Sequence, residues 1–150
     1  MSGADLTARL RRPGAHVTLL AGVVLVGILM RLYRFGSPIL DAHAFRQTQT
    51  ASVVWLWDRF GFDPISYRMP MFGAGHWVLE FPSYQTVVWA VSHTGLGIEH
   101  SGRLVSIASY AVVAVLIYVL GSHAIGSRTG AIVAAAVFTL MPAPVFYFRT

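Results

Sequence analysis

The sequence contains no cysteine, no lysine and few charged residues of either sign. The absence of cysteine excludes disulfides, thiolate zinc sites and cysteine nucleophiles. Charged residues make up 11% of the 150 residues, whereas soluble domains contain roughly 25%. Because hydrophobic residues reach 55%, one soluble core of this size could not bury them. The composition therefore predicts a chain embedded in a lipid bilayer.

The positive charge does not indicate a nucleic-acid partner. All eleven basic residues are arginine, and the formal net charge is +5. Nucleic-acid binding needs basic side chains gathered on one surface, but these arginines are scattered between apolar segments. The sequence also lacks a glycine-rich nucleotide loop, a Ser-His-Asp order and an HExxH motif. Soluble nucleotide chemistry therefore has no support.

Three apolar segments predict transmembrane helices, at residues 13–30, 104–120 and 130–148. Each is close to the roughly 20 residues that cross about 30 Å of hydrocarbon. The third is rich in small residues, which allow close helix packing, and Pro142 and Pro144 predict that its last turns bend or loosen. A cleaved signal peptide is the alternative for the first segment, but no small-residue cleavage site follows it.

The orientation is predicted from arginines in the short flanks of the spans. The tail, residues 1–12, carries three arginines, and Arg128 lies in the short turn between the second and third spans. The positive-inside rule places both in the cytoplasm. Arg31 and Arg34 oppose this, but they lead into a long loop, where the rule counts less. Residues 31–102 are therefore predicted to form an outer loop.

The outer loop holds five of the six acidic residues and is predicted to contain two short helices, at 44–60 and 82–94. Neither is long enough to cross a bilayer, and their aromatic residues favour a position in the membrane interface. Gly61 and Gly95 are predicted stops, and Pro82 a first-turn residue. The predicted fold class is an all-α polytopic membrane protein with three transmembrane and two interfacial helices. The first short helix is predicted to have one continuous face, formed by Thr50, Val53, Val54, Trp57 and Phe60.

The segment DAHAFRQTQTA, which directly follows the first span and a short connection, contains the strongest candidate for a catalytic residue. Its first residue, Asp41, is predicted to lie near the depth of the lipid headgroups. A carboxylate there can act as a general base towards a hydroxyl group. The same residue can instead cap the helix that follows. The two roles are compatible, because a capped helix start also fixes the direction of the carboxylate.

Five further residues are candidates, and all of them except Gln47 have an ordinary alternative. Arg46 can bind phosphate through its forked donors, or extend to the lipid headgroups. His43 can bind a metal or form a hydrogen bond, and Gln47 lies beside Arg46. Glu80 can coordinate a divalent ion or complement the N-terminus of the second short helix. Arg103 can bind substrate or anchor the second span at the interface.

The order of these features resembles the N-terminal part of the GT-C glycosyltransferases, in the family 39 group. That group includes protein O-mannosyltransferases and lipid A aminoarabinose transferases. DAHAFRQTQTA is similar to their D-x-H-x-W/F-R-Q-T-x-T-A motif, EFPSYQTVVW to the element that follows their loop, and SGRLVSIASY to the start of their second span. The resemblance covers about residues 19–150.

The resemblance implies roles for particular residues. The catalytic acid of the first loop corresponds to Asp41, and the acid near metal and phosphate corresponds to Glu80. Phe81 stands where some members have a phosphate-binding lysine, which moves the expected phosphate contact to Arg46 or Arg103. Because family members are several hundred residues long, the resemblance also implies that this chain is an N-terminal piece that does not turn over substrate alone.

The function implied is that of an inverting membrane glycosyltransferase. It would act on the outer face of the bacterial cytoplasmic membrane, with a polyprenyl-phosphate sugar as donor, an unspecified acceptor and a divalent metal ion at Glu80. The alternative is a non-catalytic membrane protein, a transporter or scaffold fragment whose outer loop binds lipid headgroups or a partner. Transport predicts charged groups inside the spans, but the predicted cores contain only uncharged polar residues.

Overall fold

The computed structural model describes residues 13–33, 35–36, 44–68 and 81–147, and every regular element among them is a helix. The all-α prediction is therefore confirmed for this part of the chain. The helices are α1 (Pro13–Leu32), α2 (Ala44–Phe60), α3 (Ser83–Ser92), α4 (Ile98–Ile125), α5 (Arg128–Leu140) and α6 (Pro142–Tyr147).

Among the described residues, two helices are long and apolar enough to cross a bilayer: Gly14–Leu32 in α1 and the whole of α4. The helix α4 has 28 residues, which corresponds to about 42 Å at 1.5 Å per residue. It extends beyond the predicted span, residues 104–120, at both ends. The predicted span begins directly after the charged Arg103, whereas the helix begins five residues before Arg103 and includes Glu99 in its first turn. An acid in that turn complements the positive end of the helix.

The third predicted span, residues 130–148, is divided between α5 and α6. The helix α5 has 13 residues, or about 20 Å, and is shorter than the hydrocarbon thickness. Met141 has φ −61° and ψ 134° and ends it. Proline disfavours the α conformation in the residue before it, so Pro142 explains the break. Where Pro142 and Pro144 predicted bent or loosened final turns, α5 ends and a separate helix, α6, begins.

The chain divides into two compact units, of which the first comprises residues 1–33 and 107–149. In this unit α1 packs against α5 and α6. Ala131 and Ala135 of α5 are fully buried, as are Tyr110 and Ala114 of α4. Small side chains at the helix contacts allow the backbones to approach closely.

The second unit comprises residues 34–106, and α2 packs against α3 within it. Val53 and Trp57 of α2 form one buried cluster with Tyr67, while Val54 forms another with Val88 and Val105. Three residues of the predicted face of α2, Val53, Val54 and Trp57, are therefore buried, whereas Phe60 is 61% exposed. Gly61 ends the helix directly after Phe60, and the Arg68 guanidinium lies 4.6 Å from the Phe60 ring centroid.

The predicted stop at Gly61 is confirmed, whereas α3 ends at Ser92, three residues before the predicted stop at Gly95. Gly61 has φ +97° and Gly95 has φ +96°, a region that side chains with a Cβ rarely adopt. The helix α3 begins at Ser83, and the buried Pro82 occupies its N-cap position rather than its first turn. Proline has no N–H group, so it leaves no donor unpaired at this helix start.

Most of the aromatic residues predicted to face the membrane interface bond to the protein itself. The Trp57 indole donates to the Asp63 carbonyl at 3.0 Å, and the Trp89 indole donates to Asp58 Oδ1 at 2.9 Å. The Tyr84 hydroxyl bonds within the second unit as well. Trp55 is 47% exposed. The polar ends of the other three aromatic side chains therefore hold the second unit together.

Candidate functional site

The structure covers only part of the predicted site. Asp41, His43 and Glu80 lie outside the described residues. The backbone of Arg46 belongs to the first turn of α2, but its side chain is not described. Gln47 and Arg103 are described with their side chains. Convergence of Asp41, Arg46 and Glu80 on one cavity therefore stays a prediction.

Gln47 is the described side chain closest in sequence to Asp41. It is partly buried in α2, and its Oε1 atom is buried with no hydrogen-bond partner among the described residues. A buried polar atom without a partner costs roughly 1–3 kcal/mol. Such atoms often mark a ligand, ion or water position, and this one belongs to the predicted substrate-binding set.

Arg103 is buried and bonds within the second unit. Its Nη1 donates to the Phe35 carbonyl, and its guanidinium carbon lies 6.0 Å from the Phe35 ring centroid. The Phe35 ring also contacts the His100 ring, with the centroids 5.4 Å apart. Arg103 thereby fixes the segment that follows α1 against the N-terminal turns of α4. The phosphate contact predicted for Arg103 stays a prediction.

Arg31 is a candidate that sequence reasoning missed. The helix α1 continues past Met30 to Leu32, so Arg31 lies inside the first candidate span rather than after it. Its side chain is 0% exposed. Nη1 donates to the Gly27 carbonyl at 3.0 Å, whereas Nε and Nη2 have no hydrogen-bond partner among the described residues.

The Arg31 guanidinium is held by Tyr110. Its central carbon lies 3.6 Å from the Tyr110 ring centroid, a cation–π contact. The Tyr110 hydroxyl bonds to Thr139 Oγ1 at 2.9 Å, and Thr139 donates its single proton to the Ala135 carbonyl at 2.8 Å. The Tyr110 hydroxyl also lies 3.5 Å from the Val23 carbonyl of α1. A Cβ at Gly27 would overlap the Tyr110 hydroxyl and ring, so glycine is needed for this approach.

The sequence contained one signal for Arg31. Gly27 precedes it by four residues, which places both on the same face of a helix. An arginine at the end of an apolar segment is usually read as an interfacial anchor, and Arg31 was read only as a flank. The position of Tyr110, far away in the sequence, cannot be obtained from this local pattern.

Tyr84 forms a second buried polar contact, in the second unit. Its hydroxyl donates to the Gly102 carbonyl at 2.9 Å and bonds to Ser106 Oγ at 2.8 Å. Burial raises the pKa of Tyr84 above its ordinary value, and the Ser106 hydrogen bond lowers the pKa in part. Tyr84 therefore stays protonated at neutral pH, and its bond to Gly102 joins α3 to α4.

Metal binding is not supported by the described residues. No group of three or more His, Asp or Glu side chains that could hold a cation occurs among them, and Glu80 lies outside them. The divalent ion at Glu80 therefore stays a prediction.

No family model, curated protein or solved structure matches the chain.

Proposed function

We propose that the chain is the N-terminal part of a membrane glycosyltransferase that uses a polyprenyl-phosphate sugar as donor. The observation that carries the proposal is the DAHAFRQTQTA segment, residues 41–51, which closely follows an apolar helix of sufficient length to cross a bilayer. An acid, an imidazole, a guanidinium and amides in this position suit a lipid-linked phosphate substrate, whose reacting bond lies at the membrane surface.

Unpaired buried groups on both sides of Asp41 in the sequence support the proposal. Among the described residues, four buried side-chain atoms lack a partner, and three of them belong to Arg31 and Gln47. A guanidinium donates and an amide oxygen accepts, so these groups can bind phosphate oxygens and sugar hydroxyls respectively. The fourth atom is His16 Nδ1.

In the proposed reaction, Asp41 takes the proton from the acceptor hydroxyl as its oxygen attacks the anomeric carbon. The bond between that carbon and the phosphate oxygen breaks, and polyprenyl phosphate leaves with the electron pair. Attack from the face opposite the leaving group inverts the configuration. Arg46 stabilises the charge that develops on the phosphate. The site acts on the outer face of the bacterial cytoplasmic membrane, and the N-terminus is cytoplasmic.

The test is the Asp41→Asn variant of the complete protein in membranes supplied with undecaprenyl-phosphate mannose and, separately, undecaprenyl-phosphate aminoarabinose. Release of undecaprenyl phosphate is measured by chromatography. We expect it to fall at least about 100-fold, the usual contribution of a general base. The exposed acid Glu99 supplies the control, and Glu99→Gln should release lipid phosphate at the wild-type rate. An Asp41→Asn rate close to wild type would remove Asp41 from the mechanism.

A non-catalytic lipid-binding protein is the second candidate, and one observation favours it. The guanidinium of Arg59 lies 4.5 Å from the ring centroid of the exposed Trp55, and Arg68 similarly covers the exposed Phe60. Exposed arginine and aromatic pairs suit a headgroup region. This candidate predicts lipid binding with no sugar transfer, which the same release assay distinguishes.

A further inference from the structure

The Arg31 guanidinium is a buried charge with an unused set of donors. Arginine stays protonated in proteins, and its side chain here is fully buried in the first unit. Within the described residues Arg31 forms no ion pair and uses only Nη1 as a hydrogen-bond donor. An isolated charge taken out of water costs several kcal/mol unless it is paired. The arrangement therefore calls for an anion.

The side chain is fixed rather than extended towards solvent. An interfacial arginine normally reaches out of the apolar region and keeps its charged head in water. Arg31 instead folds back onto the Gly27 carbonyl, one turn earlier in α1, and its face lies against Tyr110. Tyr110 is held in turn by Thr139 of α5. Three helices therefore define the position of the guanidinium.

The two unpaired nitrogens identify the class of ligand. Nε and Nη2 lie on the same edge of the planar guanidinium, and their N–H bonds are nearly parallel. This edge matches two oxygens of a phosphate or carboxylate in a bidentate contact. Gly27 and Tyr110 occupy the other edge and a face, so the free edge is the part of Arg31 left for an oxyanion.

We propose that the Nε–Nη2 edge of Arg31 binds the phosphate of the polyprenyl-phosphate substrate. This inference deepens the proposed function and rests on it for the identity of the lipid. Arg31 lies at the end of an apolar helix, so a phosphate that carries its own hydrocarbon chain suits the position better than free phosphate.

The test measures binding and needs no turnover. The complete protein in a neutral detergent is titrated with undecaprenyl phosphate, and the complexes are quantified by native mass spectrometry. We expect Arg31→Gln to weaken binding at least about 30-fold, since a charge-assisted bidentate contact is lost. Arg31→Lys should weaken it about tenfold, because an ammonium keeps the charge but lacks the fork. Arg128, an exposed residue at the start of α5, supplies a control with the same change in charge, and Arg128→Gln should bind within about twofold of wild type.

Inorganic phosphate and phosphatidylglycerol are titrated as competitors to separate the sources of phosphate. If undecaprenyl phosphate is displaced only by an excess of either competitor, the polyprenyl assignment is supported. If phosphatidylglycerol competes equally, the Nε–Nη2 edge binds ordinary headgroups and the assignment is overturned. Wild-type affinity in folded Arg31→Gln and Arg31→Lys also overturns the proposal. The proposal is also overturned if Asp41→Asn and Arg31→Gln lose the same free energy of unfolding while their affinity for the lipid is unchanged. That result would assign the Nε–Nη2 edge to Asp41.

If neither Arg31 variant folds, photocrosslinking of the wild-type protein decides. Undecaprenyl phosphate with a diazirine beside the phosphate should crosslink to residues 27–32, and crosslinks confined to other segments would contradict the proposal. A failure of the transferase proposal is detected by a different measurement from a failure of the Arg31 proposal. Sugar transfer that survives in Asp41→Asn removes the enzyme mechanism, whereas the binding measurements on Arg31 stand on their own.

Discussion

Gly27 is the residue at which α1 and Tyr110 come closest. A methyl group in Gly27→Ala would displace Tyr110 and weaken both its Thr139 bond and its cover over Arg31. We expect a loss of about 1–3 kcal/mol in the free energy of unfolding, as for other overpacked cores. Gly22 lies in the same helix with no atom within 4 Å of an added Cβ, so Gly22→Ala should be neutral or more stable by up to about 1 kcal/mol. Circular dichroism during unfolding in detergent measures both, and equal stability of the two variants would refute the close approach.

Tyr84 gives a second prediction at the residue scale, through its pKa. Burial raises that pKa in the folded state, so the fold favours the protonated phenol. The stabilisation is fully present below about pH 10, the ordinary pKa of tyrosine, and is lost as pH rises through the higher folded value. Tyr84→Phe should be about 1 kcal/mol less stable at pH 7 and lose less stability above pH 10. Urea unfolding followed by tryptophan fluorescence tests this, because all four tryptophans lie in the second unit. Parallel pH profiles for the two proteins would contradict it.

At the scale of the element, α3 places two neighbouring valines in opposite surroundings. Val88 is fully buried against Val54 and Val105, whereas Val87 is 49% exposed. Val88→Ala should lower the free energy of unfolding of the second unit by about 2 kcal/mol, at about 0.8 kcal/mol for each buried carbon group with a cavity contribution. Val87→Ala should change it by less than about 0.5 kcal/mol. The same fluorescence assay reports both, and comparable losses would show that α3 does not pack on α2 through Val88.

The elements also show what local patterns can and cannot predict. Gly61 ends α2 as predicted, because the ability to adopt positive φ is a property of glycine itself. Pro142 signalled the end of α5 for a similarly local reason. Arg31 was misplaced because its burial depends on Tyr110, which reaches it only through tertiary packing. Of the predicted site residues, Gln47 and Arg103 are described with their side chains, and their substrate-binding roles stay predictions.

At the scale of the whole molecule, the predicted topology depends on whether α4 crosses the bilayer. Thr94 and Ala124 are exposed residues just before α4 and in its last turn. These 150 residues contain no cysteine, so single Thr94→Cys and Ala124→Cys variants of this chain, expressed in cells, carry one labelling site each. With the N-terminus cytoplasmic, a membrane-impermeant maleimide should label the Thr94→Cys variant in intact cells, and the Ala124→Cys variant only after permeabilisation. Reversed labelling would invert the topology and place Asp41 in the cytoplasm. Labelling of both variants from outside would mean that α4 does not cross the bilayer, which would contradict the predicted topology.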